Sequence, residues 1–174
     1  PVPVLAHRTS PTNLGLYLLS VVSARDFGWI GTVEAVERLE ATLATMKVLE
    51  RFRGHFYNWY DTRDLRPLDP KYVSSVDSGN LAGHLIALAN ACQEWRAASL
   101  TDAQRFAGIG DSLELARDMT DQLSDGTGVQ TVTRRQFDGA HALLAASVKQ
   151  MFVSRENTTE RLAELGVEAE AMGD

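Results

Sequence analysis

Cysteine, long apolar runs and basic blocks are all scarce in this chain, and each scarcity narrows what it can be. Cys92 is the one cysteine in 174 residues, so no internal disulfide framework exists and no zinc-ligand spacing can be built from thiols. Flanked by Ala91 and Gln93 in an apolar helical stretch, it reads as a small buried hydrophobe rather than a nucleophile. No run approaches the ~18 apolar residues that a membrane-crossing helix needs. No signal-peptide pattern is visible, and an opening Pro1 instead of Met fits a processed or excised chain. Lys/Arg blocks are missing, and the net charge of −6 with a pI near 5.2 argues against a nucleic-acid or anionic-membrane partner. The four histidines, His7, His55, His84 and His141, never stand at i, i+4, so no metal site is expected. A phosphate loop, a dinucleotide fingerprint and a nucleophile elbow are equally absent, and no cofactor is expected.

What is present suits one globular domain over residues 1–174. Hydrophobic residues make up 44% and charged residues 23%, enough to build a core at this length. Arg outnumbers Lys, which suits forked hydrogen bonds to hydroxyls and carboxylates, although codon composition gives the same bias.

Hydrophobic spacing predicts mainly helices. The first starts near Thr12 or Asn13 after Pro11, and Leu14, Leu16, Tyr17, Leu18, Leu19, Val21 and Val22 cover nearly its whole circumference, the mark of a buried helix. It stops at Asp26-Phe27-Gly28. Thr32 is positioned to cap a second helix with a single apolar face (Val33, Val36, Leu39, Leu43, Met46). A third, from about Ser78 to Trp95, is again apolar all round. Thr101-Asp102 opens a fourth, striped by Phe106, Ile109, Leu113, Ala116 and Leu123. A fifth carries Phe137, Ala140, Leu143, Leu144, Val148 and Met151, and a polar sixth spans roughly 157–170. Between them, strand-favouring Phe56, Tyr57, Trp59 and Tyr60, the turn-like Asp61 to Asp64 and two prolines predict a short β-hairpin near 51–68. The fold expected is all-α: antiparallel helical hairpins with alternating inner and outer helices, part of an α/α toroid.

Polar chemistry gathers in three connecting segments: Arg8 to Asn13, Gly54 to Thr62, and Val76 to Asn80. The first and third lead into the two apolar helices, so both can face one space. Aromatic rings beside Asn, Asp and Arg suit sugar, since ring faces stack on pyranose C–H patches while the polar groups meet hydroxyls. Trp59, Tyr57 and Tyr60 can equally pack the hairpin onto the first helix. Asp77 can simply cap a helix and Asp61 can be a turn residue. Together they could form a glycosidase carboxylate pair. His84, two turns beyond Asp77, is within reach of a hydrogen bond to it.

Four stretches, Arg8 to Ser20 (RTSPTNLGLYLLS), Arg25 to Gly31 (RDFGWIG), Leu49 to Leu68 (LERFRGHFYNWYDTRDLRPL) and Tyr72 to Leu85 (YVSSVDSGNLAGHL), resemble the middle region of bacterial cyclic β-1,2-glucan synthases. The resemblance is dense over the first ~95 residues and weaker beyond. It implies a very large inner-membrane enzyme with a UDP-glucose-dependent glucosyltransferase region, a central glycosidase-like region that cyclises linear glucan by transglycosylation, and a phosphorylase-like region. This chain is similar to the start of the central α/α toroid, on the cytoplasmic side. The catalytic glutamates are then expected outside the chain, leaving no catalytic residue within it. Arg8, Asn13, Tyr57, Trp59, Asp61, Asp77 and Asn80 are the expected substrate-binding residues. The expected partners are β-1,2-glucan or a related oligosaccharide and the remaining domains of the parent protein, with no nucleic acid and no membrane insertion by this segment. The alternatives are a helical scaffold or inter-domain docking module, and a free-standing glycoside hydrolase using Asp61 and Asp77.

Overall fold

Hydroxyls of Ser10, Ser74 and Thr101 cap the starts of three helices. In the computed structural model, residues 5–124 and 132–153 are described. In order they form β1 (Arg8–Thr9), α1 (Pro11–Asp26), α2 (Thr32–Val48), β2 (Arg51–Phe52), β3 (His55–Phe56), β4 (Tyr60–Asp61), α3 (Ser75–Ala97), α4 (Asp102–Ser124) and α5 (Val132–Val153). The mostly-α fold with a short hairpin is as the sequence predicts. The sixth helix expected at 157–170 lies outside the described residues, as do the side chains of Leu123 and Met151.

Contacts divide the chain into two compact units, one of Pro1–Arg25 with Gly31–Ser99 and one of Asp26–Ile30 with Leu100–Asp174. In the first, the core is built from Leu18, Val21, Leu39, Met46, Tyr60 and Leu88. α1 and α3 are not buried all round, contrary to the sequence expectation. Leu16 is 51% exposed, Val76 69% and Ile86 66%, and Cys92 is exposed as well. An apolar circumference is a matter of composition, whereas burial needs covering atoms on every side, and each helix has them along one stripe only. The contrast with α2, which buries Ala35, Leu39 and Met46, is correspondingly small.

The two small sheets come from local turn chemistry. Arg53 and Gly54, at φ 51° and 88°, make the two-residue turn whose twist suits a hairpin, and β2 pairs antiparallel with β3. Arg51, opposite Phe56 in the register, lays its guanidinium 4.2 Å from that ring's centroid. β4 pairs with β1, and Tyr60 bridges on its other side to Pro67. The hairpin therefore turns at Arg53-Gly54, while the Asp61 to Asp64 turn shapes a second, wider loop that the Leu65 N–H closes onto the Asp61 carbonyl at 2.9 Å.

Thr32 does not cap α2. Gly31 occupies that position without a side-chain cap, and the Thr32 hydroxyl instead accepts from Arg25 Nε at 3.2 Å. In the second unit, Thr101 and Gln104 form a reciprocal box at the start of α4. The Gln104 N–H donates to Thr101 Oγ1 (3.2 Å) and the Thr101 N–H to Gln104 Oε1 (3.0 Å). Phe106 and Leu113 from α4 pack with Leu144 and Val148 from α5, as their spacing predicts.

Candidate functional site

Two serine caps bring the leading turns of α1 and α3 together in the first unit. Buried Ser10 accepts the Asn13 N–H at 3.2 Å, with Pro11 as the first helical residue. Ser74 accepts the Asp77 N–H at 3.1 Å. α1 therefore starts at Pro11 and α3 at Ser75, each slightly earlier than sequence spacing suggests. With both turns fixed, the Thr12 hydroxyl donates to Asp77 Oδ1 at 2.6 Å, and Asn80 Nδ2 donates back to Thr12 Oγ1 at 3.3 Å.

The chain between β3 and α3 supplies the other side. Asn58 is buried, and its N–H donates to the Tyr72 carbonyl at 2.9 Å. Its side-chain amide meets every neighbour in one orientation only. The nitrogen then donates to Asp77 Oδ2 (2.9 Å), while the oxygen accepts from Trp59 Nε1 (2.6 Å) and the Tyr72 hydroxyl (2.5 Å). Arg8, held in β1, lays its guanidinium 4.7 Å from the centroid of the Trp59 ring. A continuous polar chain thus runs from Trp59 through Asn58, Asp77 and Thr12 to Asn80, with Arg8 stacked on its aromatic end.

Four of the seven expected residues, Arg8, Trp59, Asp77 and Asn80, meet in this cluster. Asn13 contributes its backbone to the Ser10 cap and leaves its side chain exposed. Tyr57 donates its N–H to the Tyr60 hydroxyl at 2.8 Å, with Lys71 Nζ 5.6 Å from its ring. Asp61 turns into its own loop, accepting from Arg63 at the backbone (2.8 Å) and at Nη2 (2.6 Å). It lines an open pocket of about 400 Å³ shared with Glu50, Asp64, Arg66, Asp69 and Lys71. His84 does not bond Asp77; among the described residues its Nδ1 has no hydrogen-bond partner, and the ring packs against Gly15. Sequence reading missed Asn58, Thr12 and Tyr72. Asn58 carried a signal, an amide set between aromatics in a polar connecting segment.

Electrostatics keep both candidate carboxyls ionised. The hydroxyls of Ser74 and then Thr12 hold the Asp77 carboxyl below the ordinary carboxylate range. Hydrogen bonds from the Arg63 side chain and backbone hold Asp61 well below it. A glycosidase acid needs its pKa raised, so neither residue is tuned as a proton donor. Among the described residues, no group of three His, Cys, Asp or Glu side chains is placed to hold a metal ion.

No protein-family model matches the chain. It is 46% identical over 173 residues to the cyclic β-(1,2)-glucan synthase NdvB of Rhizobium meliloti (strain 1021). The chain is similar to a stretch of a cyclic β-(1,2)-glucan synthase. The likeness read from the motifs is thus borne out, and the match covers 99% of the chain. The chain spans 6% of that synthase's length. Among the described residues, no helix is long and apolar enough to cross a membrane.

Proposed function

We propose that this chain forms part of the glucan-contacting wall of a cyclic β-1,2-glucan synthase, in the α/α toroid region that cyclises linear β-1,2-glucan by transglycosylation. The observation that carries this reading is the Arg8–Trp59–Asn58–Asp77–Thr12–Asn80 cluster at the joined starts of α1 and α3. An indole with its N–H fixed, flanked by a guanidinium and a carboxamide, offers a stacking face beside forked donors, the combination a pyranose ring requires. Asp77, held ionised, orients the cluster and accepts hydroxyl protons in hydrogen bonds without releasing one. The acid and the nucleophile of the reaction come from glutamates elsewhere in the parent protein, on the cytoplasmic side of the inner membrane.

Titrating linear β-1,2-glucan into the full chain, followed by tryptophan fluorescence, tests this. A saturable change that Trp59→Ala abolishes and that a β-1,4-linked oligosaccharide does not reproduce supports it. No response at millimolar sugar in a folded protein sinks it. The hydrolase alternative is disfavoured by the two depressed carboxyls, and Asp77→Asn leaving any sugar release unchanged would dispose of it.

A second reading has its own support. Leu16, Tyr17, Val76 and Ile86 stand exposed on α1 and α3, apolar side chains that a neighbouring surface could cover. A scaffold whose faces meet the remaining domains of the parent protein fits that exposure. Light scattering of the isolated chain as a concentration-independent monomer with no dye-binding apolar patch argues against it.

A further inference from the structure

The second unit carries an exposed aromatic pair that the cluster above does not use. Phe27 is 57% exposed and Trp29 54%, and their ring centroids lie 5.2 Å apart at a 35° tilt. The loop that bears them is rigidly seated. Gly28, at φ 77°, and Gly108 of α4 approach so closely that a Cβ on either would collide with backbone. Gln104 Nε2 donates to the Asp26 carbonyl at 3.1 Å, anchoring the loop's first residue. Trp29 itself is aimed by a side chain, since its Nε1 donates to Asp111 Oδ2 at 2.7 Å. The close glycine approach and the Gln104 bond seat the backbone, and about half of each ring still faces water.

Beside the pair lies an open pocket of about 340 Å³, lined by Trp29, Gly28, Gly108, Ile109, Ser112 and Leu144. Its size suits a small ligand fragment. The Ser112 hydroxyl donates to the Gly108 carbonyl at 2.9 Å, which leaves its oxygen free to accept. A second open groove of about 390 Å³ shares Leu113 with this pocket and is edged by Asp111, Glu114, Arg117 and Lys149. An apolar floor beside a pre-aimed indole, with charged side chains in the neighbouring groove, is the chemistry that takes a pyranose by its C–H face and a neighbouring sugar by its hydroxyls.

We propose that the Phe27–Trp29 platform, with Asp111 as its positioning residue, is a second glucose-binding subsite for β-1,2-glucan, built from residues other than those of the Trp59 cluster. The glucose class rests on the function proposed above, while the site itself rests on the platform geometry. Fixing the indole in advance lowers the ordering cost of binding, so Asp111 acts through Trp29 and not on the sugar's reacting atoms.

Indole N–H resonances of Trp29, Trp59 and Trp95 in the full chain, followed during titration with linear β-1,2-gluco-oligosaccharides, provide the test. The Trp29 resonance is expected to shift saturably, and to do so still in Trp59→Ala. Trp29→Ala is expected to weaken binding of long glucan by roughly 2- to 10-fold, the scale of one aromatic contact, while the Trp59 response persists. Asp111→Asn preserves the ring, so a smaller loss with a displaced Trp29 resonance supports the positioning role. A Trp29 resonance that stays fixed while Trp59 responds overturns the subsite and leaves the first function standing. A Trp29 shift produced equally by glycerol, or by raising protein concentration alone, also overturns it, by assigning the platform to nonspecific contact or self-association.

Discussion

Thr12 and Asp77, 65 positions apart in sequence, share a 2.6 Å hydrogen bond that ties the first turn of α1 to the first turn of α3. Thr12 stands between two partners, since its oxygen also accepts from Asn80. Thr12→Val keeps the shape and removes the hydroxyl, leaving Asp77 Oδ1 and Asn80 Nδ2 short of a partner. The expected loss is about 1–2 kcal/mol, the range for a charge-assisted bond in a half-buried place. Urea unfolding measures it, and a cycle with Asp77→Asn is expected to be non-additive. Additive effects would show that the two side chains are not energetically joined.

Acid should act on the same bond. The Asp77 carboxyl lies below its ordinary pKa in the folded chain, so the unfolded state binds the proton more readily. Stability from this group is complete above the unfolded pKa of about 4 and is lost as pH falls through the folded value. Asp61 shifts in the same direction, but its Arg63 partner is exposed and the pair is screened, so its share is small. Thermal melts from pH 7 down to pH 2 are expected to stay flat and then fall below about pH 4. Asp77→Asn should make that fall shallower. An unchanged acid limb would assign acid sensitivity to other carboxyls.

Two helix-interior glycines are expected to respond to alanine in opposite directions. A Cβ at Gly83 meets open space, so Gly83→Ala should stabilise by about 0.5–1 kcal/mol through helix propensity. At Gly15 the same atom collides with the His84 ring, 2.9 Å from Cγ and closer still to Nδ1. Gly15→Ala is expected to cost about 1–3 kcal/mol despite better propensity, because neither helix can give way without disturbing the turns that carry Thr12 and Asp77. His84→Ala in the Gly15→Ala background should recover part of the loss. Melting temperatures of the four proteins decide it, and equal stabilisation at both glycines would refute the close approach.

The sequence carried the local grammar of this chain better than its burial. Helix existence, the Phe106–Leu113–Leu144–Val148 stripe and the turn at Asp61 follow from spacing and turn chemistry, which act within a few residues. Burial of Ile86 and Cys92 did not follow, because the apolar spacing of α3 says nothing about which of its sides find a neighbour. The candidate site was half legible. Arg8, Trp59, Asp77 and Asn80 came from polar segments that carry the family resemblance, and they meet in one cluster. The residues that do the joining, Thr12 and Asn58, contribute single hydroxyl and amide groups whose partners lie far along the chain, and periodicity carries no signal for such pairs. Thr32 was misassigned because a good capping residue is also a good side-chain acceptor, here for Arg25 seven positions earlier.

Arg25 supplies the last prediction. It is 5% exposed, with its guanidinium 4.9 Å from the centroid of Trp95. It reaches Thr32 Oγ1 through Nε and the Ala98 carbonyl through Nη2 at 3.4 Å. One side chain thereby gathers the end of α1, the start of α2 and the residue after α3, where no cap side chain serves α2. Arg25→Lys preserves charge but cannot fork between two acceptors while lying flat on an indole. It is expected to cost about 2 kcal/mol, within the range for hydrogen bonds to a charged group. Trp95 emission should shift to longer wavelength as the ring loses its cover, and amide exchange should quicken around Glu94 and Ala98. Arg25→Met, which keeps the apolar stem and drops the charge, separates packing from polarity. If Met matches wild type while Lys does not, desolvating the cation costs as much as its bonds return, and Arg25 is there for shape. If both are destabilised equally, the fork to Thr32 and Ala98 is what holds the three helix ends together.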